Sequence, residues 1–318
     1  MTGPRRSSRL PLASIIRVGA LVAWLATAAT HGAPAVAEPP AASPIRRVVS
    51  LYPSLSAIAV SLGAADRLVG VDDWTARQEP ALADRPRVGG LYNPSLEAVV
   101  ALRPDLVMLV PSAEQSDFRA RVEALGIRVE AFENIAFDQV LENIERIGRL
   151  LDREAAAGRR IREIERTRAR VAAAVAPLAP PRTIVVLQRE PLFIAGRGNF
   201  IDEMVTAAGG RNLGRPLGEA YPRVSLEWAI EAAPQVILDL GPDPGEARAF
   251  WGRWPSLPAV RDGRVLTLDA SLVSLPGPDL DRSLETLARA LHGDRLGGAL
   301  PAAPTGSEPA ATARGPRP

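Results

Sequence analysis

The feature that most constrains this chain is a segment written twice. Ser95-Leu96-Glu97 opens a helical stretch that ends before Pro104 and leads into the strand-like run Asp105–Val110. Ser225-Leu226-Glu227 opens a second stretch that ends before Pro234 and leads into Gln235–Leu240, 130 residues later at every step. In both copies the Ser suits an N-cap and the Glu falls in the first turn, where the helix dipole favours negative charge. Either Glu alone reads as a capping residue. The same acid in the same place on each half points further, to two lobes that present matched carboxylates to one partner.

Around this echo, short β-branched runs alternate with helical patterns. Arg47–Leu51, Leu68–Val71, Leu106–Val110 and Ile127–Phe132 lie in the first half, and Thr183–Leu187, Val236–Leu240 and Val265–Leu268 in the second. Such alternation indicates βαβ units, so the fold class expected is α/β, with two lobes built on mostly parallel sheets. Between the halves the pattern turns helical. Val140, Ile144, Ile147 and Leu151 fall on one stripe, and a second segment from Asp152 to Val175 is rich in Glu, Arg and Ala. At 1.5 Å per residue that segment would run about 36 Å before Pro177, Pro180 and Pro181 stop it. A polar helix between two α/β halves reads as one long rigid spacer. The division expected is an N-terminal lobe over 44–151, a bridging helix over 152–176 and a C-terminal lobe over 182–293.

The two ends read differently. Arg5, Arg6, Arg9 and Arg17 precede an apolar run from Val18 to Ala29 and then Ala35-Val36-Ala37, the form of a signal peptide over 1–37. The run is short of the roughly 20 residues needed to span a bilayer, so export is expected rather than anchoring. From Asp294 to Pro318 there are five prolines, four glycines and no apolar period, so a disordered tail is expected there. Beyond residue 37 the chain has 34 Arg against 36 Asp and Glu, a balance that gives no case for nucleic acid.

Composition removes several chemistries. With no cysteine there is no disulfide, thiolate metal site or lipid-anchoring cysteine. With no lysine, P-loop and Schiff-base chemistry are excluded. Two histidines, His31 and His292, are too few for a His-rich metal centre, and no Ser lies near a His as a triad needs. No catalytic residue, metal ligand or cofactor is assigned.

The residues Val48-Val49-Ser50-Leu51-Tyr52-Pro53-Ser54, Leu68-Val69-Gly70-Val71, Val88-Gly89-Gly90, Asn93-Pro94-Ser95-Leu96-Glu97, Leu102-Arg103-Pro104-Asp105, Gly209-Gly210-Arg211-Asn212-Leu213, Val224-Ser225-Leu226-Glu227 and Pro276-Gly277-Pro278 occur in this order over about residues 45–292. In order and spacing they resemble the substrate-binding proteins of cobalamin and iron-chelate importers of the ABC class. The resemblance implies two α/β lobes on one long helix, a periplasmic monomer, and an acid on each lobe that pairs with arginines of the membrane permease. Here the matching positions are Glu97 and Glu227, the two acids of the echo.

The resemblance also implies a ligand between the lobes, on loops that follow strand ends. Tyr52, with Pro53 and Ser54, follows the first strand; Trp74 follows the second; Tyr92 and Tyr221 precede the two echo helices. Flat aromatic walls suit a planar macrocycle or an aromatic chelate, and each ring has the alternative of anchoring its own loop. Trp228, Trp251 and Trp254 fall in helical patterns and read as packing residues. Relatives that take anionic ferric chelates often carry Arg beside the Pro-Gly-Pro turn, where this chain has Leu275 and Asp279, and Arg189 and Arg197 read as solvated. A cleft poor in cations argues against a strongly anionic siderophore and for a corrinoid, with a ferric siderophore or haem the alternative ligand of the same class. An exported chelatase-like enzyme is the alternative of another class, and would need a general base in the cleft.

Overall fold

The computed structural model describes residues 44–113 and 115–300; the expected signal peptide and the residues after 300 lie outside the described residues. In the N-terminal lobe, strands β1 (Val48–Ser50), β2 (Leu68–Val71), β3 (Leu106–Leu109) and β4 (Arg128–Ala131) form one sheet in the order β2-β1-β3-β4, parallel throughout. Its helices are α1 (Pro53–Ser61), α2 (Asp73–Gln78), α3 (Leu96–Ala101), α4 (Ser116–Ala124) and α5 (Phe137–Leu150), followed by α6 (Glu154–Val175). The C-terminal lobe has β5 (Arg182–Gln188), β6 (Phe193–Ile194), β7 (Arg211–Asn212), β8 (Val236–Asp239) and β9 (Val265–Thr267), in the order β6-β5-β8-β9 with β7 also on β5. All pairs there are parallel except β5 with β6. Around it run α7 (Phe200–Ala207), α8 (Leu226–Glu231), α9 (Pro244–Trp251), α10 (Pro258–Arg261), α11 (Ala270–Ser274) and α12 (Leu280–His292).

The seven strands expected from β-branched runs all form. The two-residue β6 and β7 carry too few residues to show a period. Each sheet is buried on both faces, as parallel strands require. On one face of the first sheet, Val49, Val107 and Leu109 meet Val99 of α3 and Phe118 of α4; on one face of the second, Ile184, Val186 and Ile237 meet Ala229 of α8 and Trp251 of α9. The opposite faces join into one continuous core. It runs from Val48, Leu106 and Met108 through Ile144 and Ile147 of α5, Ile164 and Val171 of α6, to Met204, Leu284, Leu287 and Leu291.

The helix α6 carries this continuity. Its 22 residues span about 33 Å. Arg160 on it donates through Nε and Nη2 to the carbonyl of Pro278, at 3.0 and 2.7 Å, and through Nη1 to Asp281 at 2.9 Å, clamping the Pro-Gly-Pro turn to the spacer.

The echo is preserved in three dimensions. Residues 93–100 and 223–230 share one sequence of exposed, half-buried and buried positions. Before each proline the chain turns left-handed without glycine, at Arg103 (φ 45°) and Ala233 (φ 43°), a conformation uncommon for residues with a Cβ. Each turn is held by an arginine from the lobe's first strand: Arg47 Nε donates to Arg103 O at 3.1 Å, and Arg182 Nη2 to Ala233 O at 2.6 Å.

One expectation needs correcting. The segment from Asp294 is packed as far as residue 300: a turn over Gly293–Leu296 leads to Leu296 and Leu300, both buried in the shared core. The two leucines lie four and eight positions beyond the last helix, among glycines, and show no periodicity.

Candidate functional site

Tyr52 is the first residue after β1 and Leu51, and caps α1 with extended backbone, Pro53 filling the first helical position. Trp74 lies in the first turn of α2. That helix is capped by Asp72, whose carboxylate accepts from the backbone N–H of Trp74 at 2.8 Å and of Thr75 at 3.0 Å. Asp72 is wholly buried and also accepts from the Thr75 hydroxyl, which reaches Ser56 Oγ, which in turn donates to Ser50 Oγ at 2.8 Å. Burial raises the Asp72 carboxyl above its ordinary range, against hydrogen bonds that pull it down. This hydroxyl network fixes the ends of β1 and β2. Sequence reasoning missed Asp72, although an Asp two residues before Trp74 at a strand end is an N-cap signal.

Tyr92 stands at the tip of a loop that turns back on itself, with Gly89 bridged to Pro94. Gly89 has φ +106°, and a Cβ there would come within 3.0 Å of Asn93 O, so only glycine suits the turn. Gln115 donates to Leu91 O and ties the loop to α4. Tyr221 is presented by the other lobe in a comparable way. Gly196 and Arg197 bond Ala220 O and Glu219 O at 2.9 and 2.7 Å, and Asn199 Nδ2 bonds Ala220 O at 2.6 Å. A Cβ at Gly196 would sit 2.1 Å from Glu219 O, so the close approach needs glycine.

Three of the expected site residues are brought together. Burial raises the Tyr52 phenol, and the charges of Tyr92, Tyr221 and Asp72 raise it further; burial and then Tyr92 raise Tyr221. Phenols from both lobes thus share one electrostatic neighbourhood. Trp74, Tyr92 and Tyr221 are 49%, 62% and 50% exposed, high values for large rings in a folded chain. Trp74 is covered on one face by Arg77, 5.0 Å from the ring centroid. Ser54 is not brought to this mouth: it is fully buried, and its Oγ accepts from Asn134 Nδ2 at 3.5 Å. Pro53 is half-buried and serves α1.

Glu97 and Glu227 are exposed in the first turns of α3 and α8. The caps are made by the serines, with Ser95 Oγ accepting from Ala98 N at 3.2 Å and Ser225 Oγ from Trp228 N at 3.1 Å. The Glu227 carboxyl is held below its ordinary range by its own backbone N–H and by Ser225. Arg189 differs from its reading as a solvated residue: it pairs with the buried Asp239 at 3.1 Å and with Glu246 at 3.3 Å. Asp239 also accepts from Trp251 Nε1 at 3.1 Å, within the packed group of Phe250, Trp251 and Trp254. His292 is buried too, its Nε2 3.1 Å from Ala208 O. Among the described residues no group of His, Cys, Asp and Glu could hold a metal ion, and no helix is long and apolar enough to cross a membrane.

Two α/β lobes on a shared helix, with phenols of both within electrostatic reach of one another, have the form of a two-lobed binding protein. The chain belongs to the periplasmic binding protein family, whose model matches residues 48–272. A cobalamin-binding protein of Halobacterium salinarum is 31% identical over 258 residues, covering 77% of this chain and 69% of that one. The crystal structure of the periplasmic vitamin B12 binding protein BtuF of Vibrio cholerae superposes with a TM-score of 0.70 at 24% identity, over 78% of this chain and 97% of that one. The periplasmic haem-binding protein BhuT, in complex with two haems, superposes with a TM-score of 0.69 at 29% identity, over 79% and 98%.

Proposed function

We propose that this protein is the periplasmic receptor of an ABC importer, and that it captures a corrinoid between its lobes for delivery to the permease. The observation that carries the reading is the gathering of phenols from both lobes, Tyr52, Tyr92 and Tyr221, near enough for the charge of one to act on another, with the half-exposed Trp74 on the lobe of Tyr52. Aromatic faces bury a large planar ligand at low entropic cost, and Arg77 over Trp74 is the one guanidinium stacked on these rings among the described residues, a thin cationic lining for an anionic chelate. Relatives named for cobalamin and vitamin B12 support the same ligand class.

Haem is the second reading, favoured by the half-exposed rings of Tyr92 and Tyr221 and by similarity to haem-binding proteins. Ferric iron is ligated by phenolate, as in tyrosine-ligated haems, and a Tyr221 phenol raised by burial resists that ionisation. The corrinoid reading is therefore preferred. Binding is preferred over catalysis because Asp72, the buried carboxyl beside Tyr52 and Trp74, is occupied by Trp74 N, Thr75 N and the Thr75 hydroxyl. A general base would need a free lone pair at the mouth.

Docking is assigned to Glu97 and Glu227. Two exposed carboxylates, one per lobe, suit bidentate pairing with permease arginines and fix the orientation of the receptor. The decisive measurement is calorimetric titration of the exported protein with cyanocobalamin, haemin and a ferric siderophore. Saturable 1:1 binding of cyanocobalamin is expected. Binding of haemin or siderophore with no heat from cyanocobalamin would overturn the corrinoid assignment.

A further inference from the structure

Away from the mouth, the C-terminal lobe has a groove of about 840 Å³ whose floor is the strand β9. It is lined by every residue from Gly263 to Leu268. Side chains of a strand alternate between faces, and here Val265 packs with the Trp251 side of the sheet while Leu266 and Leu268 pack with the α12 side. A groove that touches consecutive residues therefore faces the edge of the strand. Its walls are α9, with Pro244 and Arg248, and α12, with Thr286, Arg289 and Ala290, which cover opposite faces of the sheet.

The edge is open. Strand β9 pairs only with β8. Arg264 O accepts from Ile237 N and Leu268 N donates to Asp239 O, so the even-numbered residues turn their peptide groups toward β8. In a parallel ladder the alternate residues then point outward, and these are Val265 and Thr267. No backbone partner is recorded for either on that side among the described residues.

The groove is also cationic. Arg248, Arg264, Arg289 and Arg295 line it, against Asp294 alone. Arg289 is paired with Glu285 at 3.5 Å. Arg264 and Arg295 donate to carbonyl oxygens at the end of α12, at 2.8 Å to Ala290 and Leu291 and at 3.3 Å to His292, and neither forms an ion pair with a carboxylate of the described residues. Burial and then the charge of Arg295 lower the Arg264 guanidinium, as expected where positive charge accumulates. The corresponding open edge of the first lobe, β4, is neutralised from within: Glu130 on that strand holds both Arg128 and Arg146.

We infer that the β9 edge is a docking groove for an extended, acidic segment of a second protein, which adds as a strand between α9 and α12 with its carboxylates toward Arg248, Arg264 and Arg295. The unpaired peptide groups of Val265 and Thr267 give strand addition its hydrogen bonds, and the arginines select the charge. The chain's own residues 301–318 are a poor occupant, with five prolines and one Glu against two Arg.

The test uses the full chain and a fluorescein-labelled, end-capped peptide of alternating glutamate and valine, followed by anisotropy. Saturable binding is expected, with at least a tenfold loss for Arg248→Glu combined with Arg295→Glu, and no binding of the lysine–valine analogue. The same acidic peptide with alternate backbone nitrogens methylated keeps its charge but cannot form the ladder, and should bind at least tenfold more weakly. Equal binding of the methylated peptide would overturn strand addition in favour of charge alone. No binding of either peptide, with the arginine variant dimerising in sedimentation, would overturn the proposal and leave the arginines as guards against edge-to-edge association.

Discussion

The two lobes share a plan and differ in what they bury. At the same place in the repeated unit, the third strand of the first lobe ends in Leu109 and its counterpart in the second ends in Asp239, 130 residues on. Leu109 packs among Val107, Phe118 and Val122. Asp239, equally buried, anchors Arg189, Trp251 Nε1 and the N–H of Gly241. The first lobe keeps its buried carboxyl elsewhere, at Asp72, where it caps a helix beside Trp74. What is repeated is therefore the outer presentation: a serine cap, an exposed glutamate and a left-handed turn before proline. What has diverged is the internal support. The docking proposed above would keep the outer surface matched, and would leave each interior to solve its own packing.

Four experiments break or sharpen this comparison. The largest effect is expected for the matched acids. With Glu97→Ala and Glu227→Ala together, complex formation with the permease should be lost in a pull-down, while ligand affinity stays within about twofold. Each single change should weaken the complex to a similar degree, since each leaves permease arginines without a carboxylate. Ligand affinity that collapses while docking survives would place the acids in the cleft and end the two-sided model.

Next comes the exchange of an interior. Asp239→Leu gives the second lobe the residue of the first, orphans the Trp251 N–H and leaves Arg189 with Glu246 alone. A loss of about 3 kcal/mol is expected in urea unfolding, because buried groups without partners cost more than the leucine gains. Unchanged stability would show that the two interiors are interchangeable.

The aromatic mouth should divide between lobes. Trp74→Ala, Tyr92→Ala and Tyr221→Ala are each expected to cost about 1–3 kcal/mol in ligand affinity, with melting temperatures nearly unchanged, since all three rings are at least half exposed. Calorimetry on these variants reads the share of each lobe. A loss confined to Trp74 and Tyr92 would make the second lobe a lid with no grip of its own.

The smallest effect is set by His292. Burial holds its imidazole below the ordinary range, followed by opposing contributions from a bond to Ala208 O and the charges of Arg295 and Arg264. The unfolded chain then takes up the proton first, so stability should fall as pH drops through about 6.5 and level off below the depressed folded value. Melting curves between pH 8 and 5 should show this slope, and it should flatten in His292→Gln. A slope kept in that variant would assign the acid sensitivity to other groups.

Much of this was legible in the sequence because the repeat carries its own phase. The offset that joins Glu97 to Glu227 also fixes the strands that follow, and β-branched runs such as Leu106–Leu109 declare themselves by composition. The mouth was legible in part. Tyr52, Trp74, Tyr92 and Tyr221 were singled out as large rings on loops and remain the proposed mouth, with Tyr52 also packed against the core; Ser54 is turned inside, since one residue into a helix rotates a side chain by about 100°. Asp72 and Asp239 stayed hidden, as acids at strand ends look solvated until burial is known. Leu296 and Leu300 were concealed by the glycines around them, because packing of an irregular segment leaves no period.

The joined inner core has a consequence for how the chain assembles. Helix α6 is covered on one flank by α5 of the first lobe and on another by α12, the last helix described, with Arg160 reaching to Pro278 and Asp281 just as α12 begins. A chain emerging from its N-terminus can complete the outer layer of the first lobe early, yet Ile164 and Val171 keep a bare apolar flank until residues near Leu284 and Leu291 arrive. The closing step of folding thus waits for nearly the whole length, which keeps the spacer unsettled for as long as the chain is still being threaded.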